Sequence, residues 1–180
     1  MLMSYRDCEN RYKNNYQMKK ALESGLLYKI EPGIYADTPQ VSELELVSFN
    51  YGQAVFTMDS AFYYHGLTDV IPEQYHLATS KDAHKIRGKQ IKQHFYRDDT
   101  FPIGISTMQY RGTTVRIYDK ERMLIELIRN KRNLPFDYYK EIIESYRKKI
   151  RTLDIERLQE YIMFFPKQNH IWESIELEVM

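Results

Sequence analysis

The apolar positions of this chain change period along its length. Between residues 14 and 25, Met18, Ala21 and Leu22 recur at i, i+3 and i+4, the spacing of one helix face. The opposite face carries Tyr16, Lys20 and Glu23, with Gln17 and Lys19 at its flanks. Asn14 or Asn15 caps this helix and Gly25 closes it. Ahead of it, SYRDCENRYKN reads as a short helix, with Ser4 as cap and Asp7 at the third position, where a carboxylate suits the helix dipole. After it, Leu26, Tyr28 and Ile30 alternate against Leu27, Lys29 and Glu31, the two-residue period of a strand. Glu31-Pro32-Gly33-Ile34 fits a type II turn, so residues 24–37 predict a β-hairpin directly after a helix.

Residues 37–40, DTPQ, predict a boundary. Beyond them, VSELELVSFNYG and MDSAFYYHGLTD predict two helices, the second started by Asp59 or Ser60 and stopped by Gly66. QYHLATS predicts a strand and KDAHKIRGKQIK a basic connector. IKQHFYRD, GISTMQY and TTVRIYD predict strands of one antiparallel sheet, with a turn at Arg111-Gly112. Three helices follow, with faces Met123/Leu124/Leu127/Ile128, Tyr139/Ile142/Ile143/Tyr146 and Ile155/Leu158/Ile162/Phe165, and Pro166 stops the series. The expected class is α+β. A short N-terminal winged helix-turn-helix with a reduced first helix occupies residues 1–37. A mixed α/β domain, with an antiparallel sheet and C-terminal helices, occupies residues 38–180.

An apolar fraction of 43% with 14% aromatics supports a packed core rather than a disordered chain. Sixteen tyrosines are enough for some to line a surface that meets a partner, although half-buried core edges explain any single one. The lone cysteine, Cys8, excludes an intrachain disulfide and a cysteine-based zinc site. No charged-then-apolar leader opens the chain and no apolar run approaches the ~18 residues of a membrane span, so a cytoplasmic protein without membrane contact is expected.

The net charge of +1 conceals an uneven distribution: +2 over residues 1–36, −6 over 37–80, +5 over 81–116, +4 over 117–151 and −4 over 152–180. A basic face, if one exists, therefore belongs to particular segments. In a winged helix the second helix enters the major groove. Asn15, Tyr16 and Gln17 are then the candidate base readers, and Lys13, Lys19, Lys20 and Lys29 the phosphate contacts. A plain helical hairpin with a solvated lysine face is the competing reading. Lys81, Lys85, Arg87, Lys89 and Lys92 form a second basic contact, against which stands a solvated connector. No metal, cofactor or catalytic constellation emerges. The five histidines show no H-E-x-x-H arrangement, and the seven glycines form no phosphate loop. The chain reads as a non-enzyme.

GLLYKIEPGIYAD, SAFYYHGLTDVIPEQYHLAT and YRGTTVRIYDKERMLIELIR together resemble the AbiEi antitoxins of type IV toxin–antitoxin, or abortive infection, systems. The resembling features are Gly33-Ile34-Tyr35, Ser60-Ala61, His65-Gly66-Leu67-Thr68 and Glu121-Arg122, over about residues 15 to 165. The resemblance implies a winged helix with residues 15–24 as recognition helix and 26–36 as wing. It implies repression of the protein's own operon through inverted repeats in promoter DNA. It also implies neutralisation of a co-encoded nucleotidyltransferase-like toxin without a required stable complex, a role in phage defence. The alternative is a protein-interaction module with a vestigial winged helix that acts only through its C-terminal domain.

Overall fold

The computed structural model describes residues 1–180 and divides into two compact units, Met1–Gly52 and Gln53–Met180. The expected boundary at residue 37 falls inside the first of them.

The smaller unit runs β1 (Leu2–Ser4), α1 (Tyr5–Tyr12), α2 (Asn15–Glu23), β2 (Tyr28–Glu31), β3 (Ile34–Ala36) and α3 (Glu43–Asn50). Its strands form an antiparallel sheet in the order β1-β3-β2. Ser4 caps α1 in a reciprocal box: its hydroxyl accepts from the Asp7 N–H, and the Asp7 carboxylate accepts from the Ser4 N–H at 2.9 Å. Asn14 caps α2 by accepting from the Gln17 N–H at 2.9 Å. The central strand β3 is buried on both faces. Tyr35 joins Met3, Cys8, Met18, Ala21 and Leu27 under α1 and α2, while Ile34 and Ala36 join Leu2, with Val41 and Leu46 packed against them. Helix α3 therefore belongs to this unit, because it closes the second face of the sheet.

The hairpin differs from its expected alternation at one end. Leu26 is exposed and Leu27 is buried, because both residues still belong to the turn that ends α2, where their N–H groups donate to the Ala21 carbonyl. The strand starts only at Tyr28. The expected turn at Pro32-Gly33 has Gly33 at φ +82°, the left-handed value that a type II turn requires at its third position.

The larger unit contains β4 (Val55–Phe56), α4 (Met58–Tyr64), β5 (Tyr75–Ser80), β6 (Ile91–Tyr96), β7 (Ile105–Tyr110), β8 (Thr113–Tyr118), α5 (Lys120–Arg129), α6 (Phe136–Lys149), α7 (Ile155–Ile162) and α8 (Gln168–Glu178). Its five strands are ordered β6-β5-β4-β8-β7. The sheet is mixed, which corrects the antiparallel expectation. β5 pairs with β6, and β4 with β8, in parallel, whereas β4–β5 and β7–β8 are antiparallel. The physical reason is the connector, residues 81–90. It is too long for a hairpin turn, and it carries the chain back to start β6 beside the start of β5. Helix α4 starts at Met58 after Thr57 rather than at Asp59 or Ser60. Helix α8 resumes beyond Pro166, with Ile171 and Ile175 buried one turn apart. No helix is long and apolar enough to cross a membrane.

Candidate nucleic-acid interface

The face of α2 opposite Met18 and Ala21 is solvent-exposed throughout. Lys13, Asn15, Tyr16, Gln17, Lys19 and Lys20 all lie at the surface on or before this helix, and Tyr16 keeps 72% of its area exposed. Helical geometry brings them together because residues 16, 17, 19, 20 and 23 share the half of the helix that the core does not use. Lys13 ends α1 in the left-handed region, φ +62°, and its N–H closes that helix on the Glu9 carbonyl at 2.9 Å. That conformation sets the corner between the two helices, so Lys13 projects from the turn rather than from α2.

The candidate readers are not equivalent. The Tyr5 hydroxyl donates to Asn15 Oδ1 at 3.0 Å, which engages the acceptor half of the amide. Reading adenine with both halves of the amide requires that oxygen to accept from the base as well. The Gln17 backbone N–H donates to Asn14, and its side chain is exposed. Lys19 Nζ lies 3.8 Å from Glu23 Oε1 between two exposed side chains, a pair that solvent screens. Lys29 is exposed on β2, opposite Tyr35 of β3.

The second basic set, Lys81, Lys85, Arg87, Lys89 and Lys92, is exposed on the connector and the start of β6 in the larger unit. Lys81 pairs with Asp98 at 3.3 Å, between half-exposed side chains. Gln93 ties the connector down: its Oε1 accepts from the Ile86 N–H at 2.7 Å, and its Nε2 donates to Thr79 and to the His84 carbonyl. The two basic sets belong to different compact units.

No family model matches this chain, and no curated protein matches it.

The motif residues of the larger unit hold architecture. His65 Nε2 contacts the Tyr118 carbonyl at 2.7 Å, and Lys149 Nζ donates to the Gly66 carbonyl. The Thr68 hydroxyl donates to Glu141 at 2.7 Å. Glu121 accepts from the Asp154 N–H at 2.8 Å, joining the start of α5 to the start of α7. Arg122 is fully buried. Its Nη1 donates to the Thr100 and Ile103 carbonyls at 2.5 and 3.0 Å, and its Nε donates to Glu126 at 3.1 Å. Nη2 lies 2.9 Å from Glu126 Oε1 without a directed hydrogen bond, so charge rather than alignment holds that contact. The guanidinium lies over the Tyr118 and Phe165 rings, 4.6 Å from each centroid, and over the Tyr96 ring at 5.2 Å. A side-chain carbon at Gly104 would collide with Arg122 Cβ.

One polar chain in the larger unit leaves no motif in the sequence. The Tyr138 hydroxyl donates to Asp59 Oδ1 at 3.2 Å, Asp59 Oδ2 stands 3.4 Å from His76 Nε2, and His76 Nδ1 stands 3.2 Å from His94 Nε2. Burial pushes both histidines down to about 4, with repulsion between them adding to the shift of His94, so both are neutral at neutral pH. A carboxylate beside His76 Nε2 places the proton of His76 there. His76 Nδ1 then accepts from His94 Nε2, and His94 Nδ1 is left with a lone pair. The arrangement depends on the parallel register of β5 and β6, and no local motif marks it.

Proposed function

We propose that this chain is a DNA-binding antitoxin that represses its own operon, with the smaller unit acting as a winged helix. The observation that carries the DNA-binding part is topological. Two capped helices connect β1 to β2, and β3 inserts between those strands. That order leaves α2 with one face in the core and the other bare, next to a hairpin with a tight tip. In this reading Gln17 and Tyr16 read base edges, Asn15 contributes its free amide donors, and Lys13, Lys19, Lys20 and Lys29 meet phosphates. The hairpin Tyr28–Ala36 is the wing. Its tip carries no cation, so its main work is to close the core over Met18 and Ala21.

The antitoxin part rests on the AbiEi-like motifs. It assigns the larger unit to neutralising a co-encoded nucleotidyltransferase-like toxin. The test combines both parts in the full chain. Lys19→Ala with Lys20→Ala is expected to weaken binding to the chain's own promoter at least tenfold at moderate salt and to release repression, while rescue from the toxin encoded beside it persists. Unchanged promoter binding by the double variant would overturn the recognition-helix assignment. Loss of rescue together with repression would overturn the division of labour between the units.

A further inference from the structure

The larger unit carries an open cleft of about 1350 Å³, bounded by β6, the end of α5, the start of α6 and one side of α8. Five consecutive residues, Gln93 to Arg97, line it. Consecutive residues of a strand point to opposite faces. A cavity touched by all five is therefore bounded by the rim of the sheet, not by one of its faces. β6 is an edge strand with β5 as its one neighbour.

The hydrogen-bond phase of that edge follows from the register. The Tyr75 N–H donates to the Gln90 carbonyl at 2.8 Å, and Tyr75 stands opposite Ile91 in a parallel pair. Continuing that ladder, Lys92, His94 and Tyr96 turn their backbone groups toward β5. Gln93 and Phe95 turn theirs outward. The Ile91 N–H is taken by the Gly88 carbonyl, and the Arg97 carbonyl by Thr100 and Phe101. The free edge is thus a short template of two donors and two acceptors, on Gln93 and Phe95.

The walls have a distinctive composition. Phe95, Phe136 and Leu177 all line the cleft, and each is more than half exposed. Its two carboxylates already have cations: Glu126 is held by Arg122 and Arg129, and Glu178 by Lys131. Arg132 and Lys167 line the same cleft without a carboxylate partner. The volume exceeds the roughly 300–1000 Å³ of small-molecule pockets. A second copy of the chain, pairing edge to edge, would set this cationic rim against itself.

We propose that the free edge of β6 receives an extended acidic segment of a partner protein as an added strand. Its backbone pairs with Gln93 and Phe95, its apolar side chains meet Phe95, Phe136 and Leu177, and its carboxylates meet Arg132 and Lys167. This docking surface lies wholly in the larger unit, whereas α2 belongs to the smaller.

The test starts with selection of displayed random nine-residue peptides on the full-length protein. The expected winners alternate Asp or Glu with apolar residues. N-methylation of a synthetic winner at every second residue is expected to lower affinity for the parent protein at least tenfold in one phase and less than twofold in the other. Strand addition uses the backbone groups of alternate residues, and no variant protein is involved. Phe95→Pro removes an outward N–H at an edge position, where proline is tolerated, and is expected to lower affinity at least tenfold. Arg132→Glu with Lys167→Glu is expected to lower it at least fivefold. The proposal is overturned if no acidic pattern is enriched, or if both methylation phases act alike. It is also overturned if the protein self-associates and Phe95→Pro dissolves the oligomer, which would assign the edge to a second copy.

Discussion

The fully buried residues of the smaller unit are apolar from Leu2 to Val47, and the one unpartnered polar atom it encloses is the Oγ of half-buried Ser48, whereas the larger unit buries Thr57, Ser60, His76, Glu121, Arg122 and Glu126 among its apolar residues. The difference separates two ways of using polar chemistry. In the smaller unit the charged side chains lie outside the core, where salt screens them. In the larger unit charged groups and a histidine are enclosed, where an unmatched group carries a large desolvation penalty. Damage to the first should register as salt-sensitive binding. Damage to the second should register as lost stability and as pH dependence.

The largest expected effect comes from Arg122. Its guanidinium joins Thr100, Ile103, Glu126, Tyr118 and Phe165, so one side chain ties the loop before β7 to α5 and to the turn after α7. Arg122→Ala leaves Glu126 buried with Arg129 as its one cation and the Asn130 amide as its other donor, and opens a cavity. It is expected to cost the larger unit about 3–5 kcal/mol, read from its urea midpoint. Arg122→Met with Glu126→Leu should recover most of that loss, because the pair is then replaced by apolar volume rather than broken. If the double variant is as unstable as Arg122→Ala, hydrogen bonding to the two carbonyls outweighs the ion pair.

The next effect is the pH profile of the larger unit. His76 and His94 take up protons at about 4 in the fold, against an ordinary value near 6.5 in the unfolded chain. Between those limits the unfolded state binds more protons, so stability falls as pH drops from 6.5 toward 4 and is full above that window. At 1.36 kcal/mol per unit the loss is up to roughly 3 kcal/mol for each histidine. Burial lowers His65 as well, which adds in the same direction. His94→Gln should flatten the slope measured by urea unfolding at pH 7 and pH 4.5. An unchanged slope would place the pH dependence elsewhere.

The same contrast explains what could be read from the sequence. The elements of the smaller unit are announced by groups a few residues apart: Ser4 with Asp7, Asn14 with the start of α2, and Pro32-Gly33 at the turn. The exposed face of α2 follows from helical period alone. β1 was not legible, because three residues carry no period and its pairing with β3 spans thirty or more positions. Alternation groups Leu26 with Tyr28 and Ile30, but Leu26 and Leu27 belong to the end of α2, where strand period does not apply. In the larger unit the α5 and α6 faces were legible, whereas the polar chain of His76 and His94 was not. Those residues meet only because β5 and β6 run parallel, and their spacing in sequence matches no local motif. The buried Glu121-Arg122 pair was legible as a motif but not as a structural tie, since its partners come from residues 100, 103, 126 and 154.

A smaller effect tests whether the smaller unit depends on its local signals as strongly as the larger depends on its buried network. Asn14→Ala removes the acceptor for the Gln17 N–H and is expected to cost about 1 kcal/mol of stability there. Amide exchange of α2 should rise by roughly fivefold, with protection of α5 unchanged. Asn14→Asp should keep the cap and the protection. If Asn14→Ala accelerates exchange equally in both units, the two do not unfold separately and the contrast in their cores does not extend to their stability.

The smallest expected effect separates the hairpin Tyr28–Ala36 from α2. Lys29 is exposed on β2 and is the only lysine of the hairpin, whereas α2 presents Lys19 and Lys20 together. Each phosphate contact in duplex DNA contributes about 0.9 to the slope of log affinity against log salt. Lys19→Ala with Lys20→Ala should therefore reduce that slope by about 1.8, and Lys29→Ala by no more than about 0.9, with an affinity loss of only a few-fold at moderate salt. The order of the two reductions carries more information than either alone. A larger reduction for Lys29→Ala would make the hairpin the principal phosphate contact and would move the DNA from the face of α2 to the β2 side of the sheet. Equal and negligible reductions would leave the bare polar face of α2 as solvated surface, and the functional weight of the molecule would pass to the larger unit.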